Sequence, residues 1–81
     1  MNQITPGVYK HYKGNLYEVI GVARSSEDIH TQLVIYKQLY ESKALDGTSL
    51  PKGTLWARPK EMFLETITMN DGTKMARFTR V

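Results

Sequence analysis

Two glycine turns constrain this chain more than anything else in it. Asn70-Asp71-Gly72 separates a run in which Leu64, Thr66 and Thr68 alternate with Glu65, Ile67 and Met69 from the closing run 74–81. Lys13-Gly14-Asn15 likewise separates Val8-Tyr9-Lys10-His11-Tyr12 from the run 16–23. Glycine takes the positive φ that tight hairpin turns demand, and an Asp-Gly turn between alternating runs is the strongest short-range hairpin signal a sequence carries. A chain punctuated in this way folds as antiparallel β-structure.

The remaining segments fit that frame. Gly21 interrupts the second run and predicts a bulge or sharp bend. Residues 31–40 form the longest candidate strand, with Leu33, Ile35 and Leu39 on one parity and Val34, Tyr36 and Tyr40 on the other. Apolar residues on both faces predict a central strand covered on each side, and Val34-Ile35-Tyr36 in a row disfavours a helix. Residues 41–53, with Asp46-Gly47, Pro51 and Gly53, read as a flexible loop. Thr54-Leu55-Trp56-Ala57-Arg58 resumes an extended pattern, and Pro59 predicts one helical turn over residues 59–63. In the closing run Met75, Phe78 and Val81 are expected inward. The fold class is therefore mainly β: a small SH3-like barrel or roll of about five to six mostly antiparallel strands with one short helical turn.

With 81 residues the chain has room for one domain, taken as residues 1–81 with a tail over 1–6. A core this small leaves little volume for an internal active site, which favours work done at the surface. Hydrophobic residues at 41% and charged residues at 23% suit a globular chain rather than a disordered one. Cysteine is absent, which removes disulfides and thiolate chemistry and suits a reducing cytoplasm. Neither a signal peptide nor a membrane-spanning stretch is visible. The formal charge of +3 permits an anionic partner without requiring one.

Catalytic signatures are missing: the sequence has no phosphate-cradling glycine loop, no nucleophile elbow and no cysteine nucleophile. His11 and His30 have no neighbours at metal-ligand spacing, so neither a metal nor a cofactor is expected. The richest feature is the aromatic set Tyr9, Tyr12, Tyr17, Tyr36, Tyr40, Trp56, Phe63 and Phe78. Tyr17, Phe63 and Phe78 are assigned to the core. Tyr36 and Tyr40 share a strand parity, and Trp56 lies two residues before Arg58. Adjacent strands would place two phenols, an indole and a guanidinium on one face, a set suited to stacking on a planar group. Arg24-Ser25-Ser26-Glu27 is a second candidate. Arg24 there can grip a carboxylate or phosphate, and the plain alternative is a turn in which Arg24 and Glu27 pair weakly in solvent. Lys10 and His11 complete the candidate surface.

Several blocks in order resemble domain-of-unknown-function family 1653: Gly7-Val8-Tyr9-Lys10-His11-Tyr12-Lys13-Gly14-Asn15, Tyr17-Glu18-Val19, Gly21-Val22-Ala23-Arg24, Val34-Ile35-Tyr36 with Leu39-Tyr40, and Leu55-Trp56-Ala57-Arg58-Pro59 with Met62-Phe63-Leu64-Glu65. The resemblance runs from Gly7 to Arg77-Phe78. It implies a small bacterial protein with a mainly-β roll or barrel, and no assigned activity. Family members carry Arg-His-Ser-Glu-Thr in the first hairpin loop, where this chain has Arg24-Ser25-Ser26-Glu27-Asp28, so a histidine that could serve chemistry there is absent. The 41–53 segment is also longer than the family's usual one.

The sequence thus points to a binding module that uses Tyr36, Tyr40, Trp56 and Arg58, joined by Arg24, Glu27, Lys10 and His11. The expected partner is nucleic acid or a nucleotide-like anion, or a protein segment, and not a membrane. The alternatives are a protein–protein or self-associating adaptor and, last, an enzyme using Glu27, Glu61 or His11.

Overall fold

Both glycine hairpins form. In the computed structural model, which describes residues 4–81, β1 (Gly7–His11) pairs antiparallel with β2 (Leu16–Arg24) across a turn where Gly14 takes φ 106°. Gly21 marks a bulge, because the pairing of β2 with β3 (Gln32–Gln38) shifts between Val19 and Gly21 and leaves Ile20 as the extra residue. The segment read as a flexible loop is instead a second small hairpin, β4 (Ser42–Lys43) with β5 (Ser49–Leu50). Its tip is closed by Asp46, whose side chain accepts from the Thr48 N–H at 2.9 Å. β6 (Leu55–Pro59) returns beside β3 and leads into α1 (Lys60–Phe63), the single helical turn expected after Pro59. β7 (Thr66–Thr68) and β8 (Lys74–Ala76) form the Asp-Gly hairpin, and β9 (Phe78–Arg80) follows.

The main sheet is antiparallel with strand order β6-β3-β2-β1-β9. The mainly-β class is right, but the sheet is open and not a closed barrel. Closure would need β6 to pair with β9, and the chain between them goes instead to α1 and the separate β7–β8 hairpin. Arg77 is the pivot that splits the closing run. Its N–H donates to the Glu65 carbonyl and its own carbonyl accepts from the Tyr12 N–H, so the chain leaves β7 and crosses to β1. Phe78 is therefore buried, whereas Met75 and Val81, both expected inward, are exposed.

One face of the sheet carries the core: Tyr9, Val19, Val34, Tyr36 and Phe78, capped by Phe63 from α1. The Phe63 and Phe78 rings stack with centroids 4.2 Å apart, and Tyr9 meets Phe63 edge-on at 5.5 Å. The expected tail over residues 1–6 lies partly outside the described residues. From Ile4 onward it is tied down, with Ile4 packed on the core and the Tyr9 hydroxyl donating to the Thr5 carbonyl at 2.9 Å. The other face of β3 carries half-buried Leu33, Ile35 and Lys37, so this strand is covered on one side and not on both. No helix among the described residues is long and apolar enough to cross a membrane.

Candidate functional site

Register decides which side chains meet. On β3 and β6, Tyr36 lies opposite Trp56 and Val34 opposite Arg58; on β2 and β3, Tyr17 lies opposite Gln38 and Val19 opposite Tyr36. Directly opposed residues of an antiparallel pair share a face. Tyr17, Tyr36, Gln38, Trp56 and Arg58 therefore stand together beside the core, and Tyr17, Tyr36, Trp56 and Arg58 line a shallow cavity of about 170 Å³.

Gln38 organises this corner. It is 1% exposed, and a buried amide is tolerated only when its donors and acceptor are matched. Its Nε2 donates to the Leu50 carbonyl at 2.7 Å and the Tyr40 carbonyl at 2.9 Å, which ties the β4–β5 hairpin to the sheet. Its Oε1 accepts the Trp56 indole N–H at 2.9 Å. The indole is thus held by its polar edge while the residue stays 39% exposed.

Arg58 lies half-buried next to it. Its Nε donates to the Tyr36 hydroxyl at 3.1 Å, and the guanidinium carbon sits 5.9 Å from the centre of the Phe78 ring. The ion pairs among the described residues are Lys37–Glu18 and Arg77–Glu65, so Arg58 carries its charge without a carboxylate partner. The Tyr17 and Tyr40 hydroxyls hydrogen-bond to each other. Burial, and then that bond, hold the Tyr17 phenol well above its usual range, so it stays protonated and neutral.

The expected site residues divide accordingly. Tyr36, Trp56 and Arg58 are brought together, with Tyr36 supplying a buried wall, and Tyr40 joins through its bond to Tyr17. Tyr17, assigned to the core from sequence, is a half-buried cavity wall. Gln38 was not singled out, although a glutamine on the same strand parity as Val34 and Tyr36 was the available signal.

His11 lies opposite Phe78 with ring centroids 5.0 Å apart, at the edge of the cluster rather than in the cavity wall. Burial and then the charges of Arg77, Arg58 and Lys13 push its pKa down. Lys10 points to the opposite face between Leu16 and Thr79. Arg24 and Glu27 are at the far end of β2, where Arg24 Nη1 donates to the Ile29 carbonyl at 2.9 Å and the Glu27 N–H to Ser25 Oγ at 3.2 Å. The expected Arg24–Glu27 pair does not form, and the Arg24 guanidinium turns to the Ile29 carbonyl instead. Among the described residues no three His, Asp or Glu side chains gather as a metal site.

Comparison with known proteins agrees with the fold and adds no activity. No curated protein matches the chain. A crystal structure of a DUF1653 protein from Bordetella bronchiseptica is similar with a TM-score of 0.79 at 32% identity, covering 100% of this chain and 91% of that one. The model of the family described as "Protein of unknown function (DUF1653)" matches residues 7–80, which span the main sheet from β1 to β9. The chain belongs to the DUF1653 family.

Proposed function

We propose that this chain is a small binding module that takes a nucleotide-like anion, free or as part of a single strand, at the Trp56–Arg58 corner. A planar base stacks on the open face of the indole, and a phosphate takes the free N–H groups of Arg58. The observation that carries this reading is an unpaired, half-buried guanidinium beside an indole held in place by Gln38. An indole fixed before the ligand arrives loses little side-chain freedom on binding. Tyr36 accepts from Arg58 and keeps its own hydroxyl proton for an acceptor. Tyr17 is held neutral, so no negative charge faces the anion. The cysteine-free composition supports a cytoplasmic setting for such a ligand.

Trp56 is the only tryptophan, so its emission reports directly on the site. Titration with a nucleoside monophosphate should quench it saturably, and more tightly than the nucleoside or inorganic phosphate alone. A short single-stranded oligonucleotide tests whether the source is a polymer. Arg58→Gln should weaken monophosphate binding roughly tenfold, the loss of about one charge-assisted hydrogen bond. Unchanged emission with all four probes, or equal binding by Arg58→Gln, would reject the reading.

A further inference from the structure

The second face of the sheet carries a patch of aliphatic side chains around a central charged pair, and none of the core lies against it. Register gives its rows: Val8, Glu18, Lys37 and Leu55 across the middle, then Gly21, Ile35 and Ala57, then Ala23, Leu33 and Pro59. Bulged Ile20 falls beside Gly21. Leu55 is 61% and Ile20 is 50% exposed, and Leu33 and Ile35 are not among the residues packed against the core. Phe63 of α1 packs on the other face, and Gln38 anchors the β4–β5 hairpin from that face too. An antiparallel sheet with one solvated face normally turns polar side chains outward, and here Glu18, Lys37, Lys10 and Thr79 share that face with Val8, Ile20, Leu33, Ile35 and Leu55.

We propose that a second copy of this chain covers this face, related by a two-fold axis that runs between β2 and β3 along the strands. The middle row is self-complementary about that axis. Val8 meets Leu55 of the other copy, and Glu18 meets its Lys37, which turns the single 3.4 Å Glu18–Lys37 pair into a ring of four alternating charges. The next rows match small against large: Gly21 opposes Ile35 of the other copy, and Ala23 opposes its Leu33. About that axis β6, β3, β2 and β1 face their counterparts, and their 26 residues at ~4.8 Å by ~3.3 Å each make a plane of roughly 410 Å². That is about half the ~800 Å² per partner of a standard stable interface, the size of a weak, reversible dimer. The same sheet thus keeps its aromatic, cationic face for ligand and its aliphatic face for its twin.

Sedimentation of the full chain from micromolar to millimolar concentration tests this. A monomer–dimer equilibrium is expected. Leu55→Lys and Ile20→Lys alter side chains already in solvent, so the fold should persist, as judged by circular dichroism, while the dimer dissociates. Glu18→Lys places like charges together and should weaken the dimer by roughly tenfold or more, and Lys37→Glu in the same chain should restore it. A chain that stays monomeric throughout overturns the proposal. So does a dimer that Leu55→Lys, Ile20→Lys and Glu18→Lys all leave unchanged.

Discussion

A single buried amide sets the geometry of the candidate site. Gln38 satisfies two carbonyls and one indole N–H at once, so Gln38→Leu strands three polar groups while adding apolar bulk. A loss of about 1–3 kcal/mol is expected in urea unfolding, together with a red shift of Trp56 emission as the indole swings into water. Trp56→Phe leaves only Gln38 Oε1 unmatched and should cost less. His11 gives a second test at this scale. Its folded pKa lies below its usual value, so the unfolded chain takes up the proton first. Its contribution to stability is therefore complete above the unfolded pKa of about 6.5 and drains away as pH falls from there toward the folded pKa. His11→Asn should flatten that acid limb. An anion seated on Arg58 offsets one of the charges that depress His11, so bound monophosphate should raise its pKa in an NMR titration. No rise would place the anion elsewhere.

Two strand-flanking glycines make the element scale testable, because they hold positive φ for different reasons. Gly14 has φ 106° with open space around it, so Gly14→Ala meets only backbone strain, about 1–2 kcal/mol. Gly7 has φ 140°, and a Cβ there would stand 2.6 Å from the Arg80 guanidinium carbon, which lies over the Tyr9 ring while Nη1 of the same group donates to Thr5 Oγ1. Gly7→Ala should cost more than Gly14→Ala, and a prior Arg80→Ala should remove the excess in a double-mutant cycle. Additive costs would mean that the guanidinium is not held there. The same contrast explains what could be read in advance. Hairpins at Gly14 and Asp71-Gly72, the bulge at Gly21 and the turn after Pro59 depend on residues a few positions apart, and all were legible. The split at Arg77 depends on a carbonyl of Glu65 and an N–H of Tyr12, which no local pattern reveals. Met75 was misplaced for the same reason: β8 follows the small β7 hairpin and never reaches the main sheet.

At the scale of the whole molecule, the chain builds one open sheet with two unlike faces. Apolar residues on both parities of β3 were legible, but their cover was not, since pattern alone cannot say whether a helix or another chain provides it. The Trp56–Arg58 corner was legible as a set of residue types, whereas Gln38 and Tyr17 joined it only through the β2–β3–β6 register. The two faces should answer differently to salt. Monophosphate binding at Arg58 rests on charge and should weaken steadily as ionic strength rises, with the shallow slope of one or two phosphate contacts. Association through Ile35, Leu33, Leu55 and Val8 rests on apolar burial, and its ring of four charges is a small part of the whole, so it should change little. Emission titration and sedimentation of one sample at low and high salt would separate them. Arg58→Gln should remove only the salt-sensitive event and Leu55→Lys only the insensitive one. Parallel loss of both with salt would mean that a single charged surface serves both, and the two-faced assignment would fail.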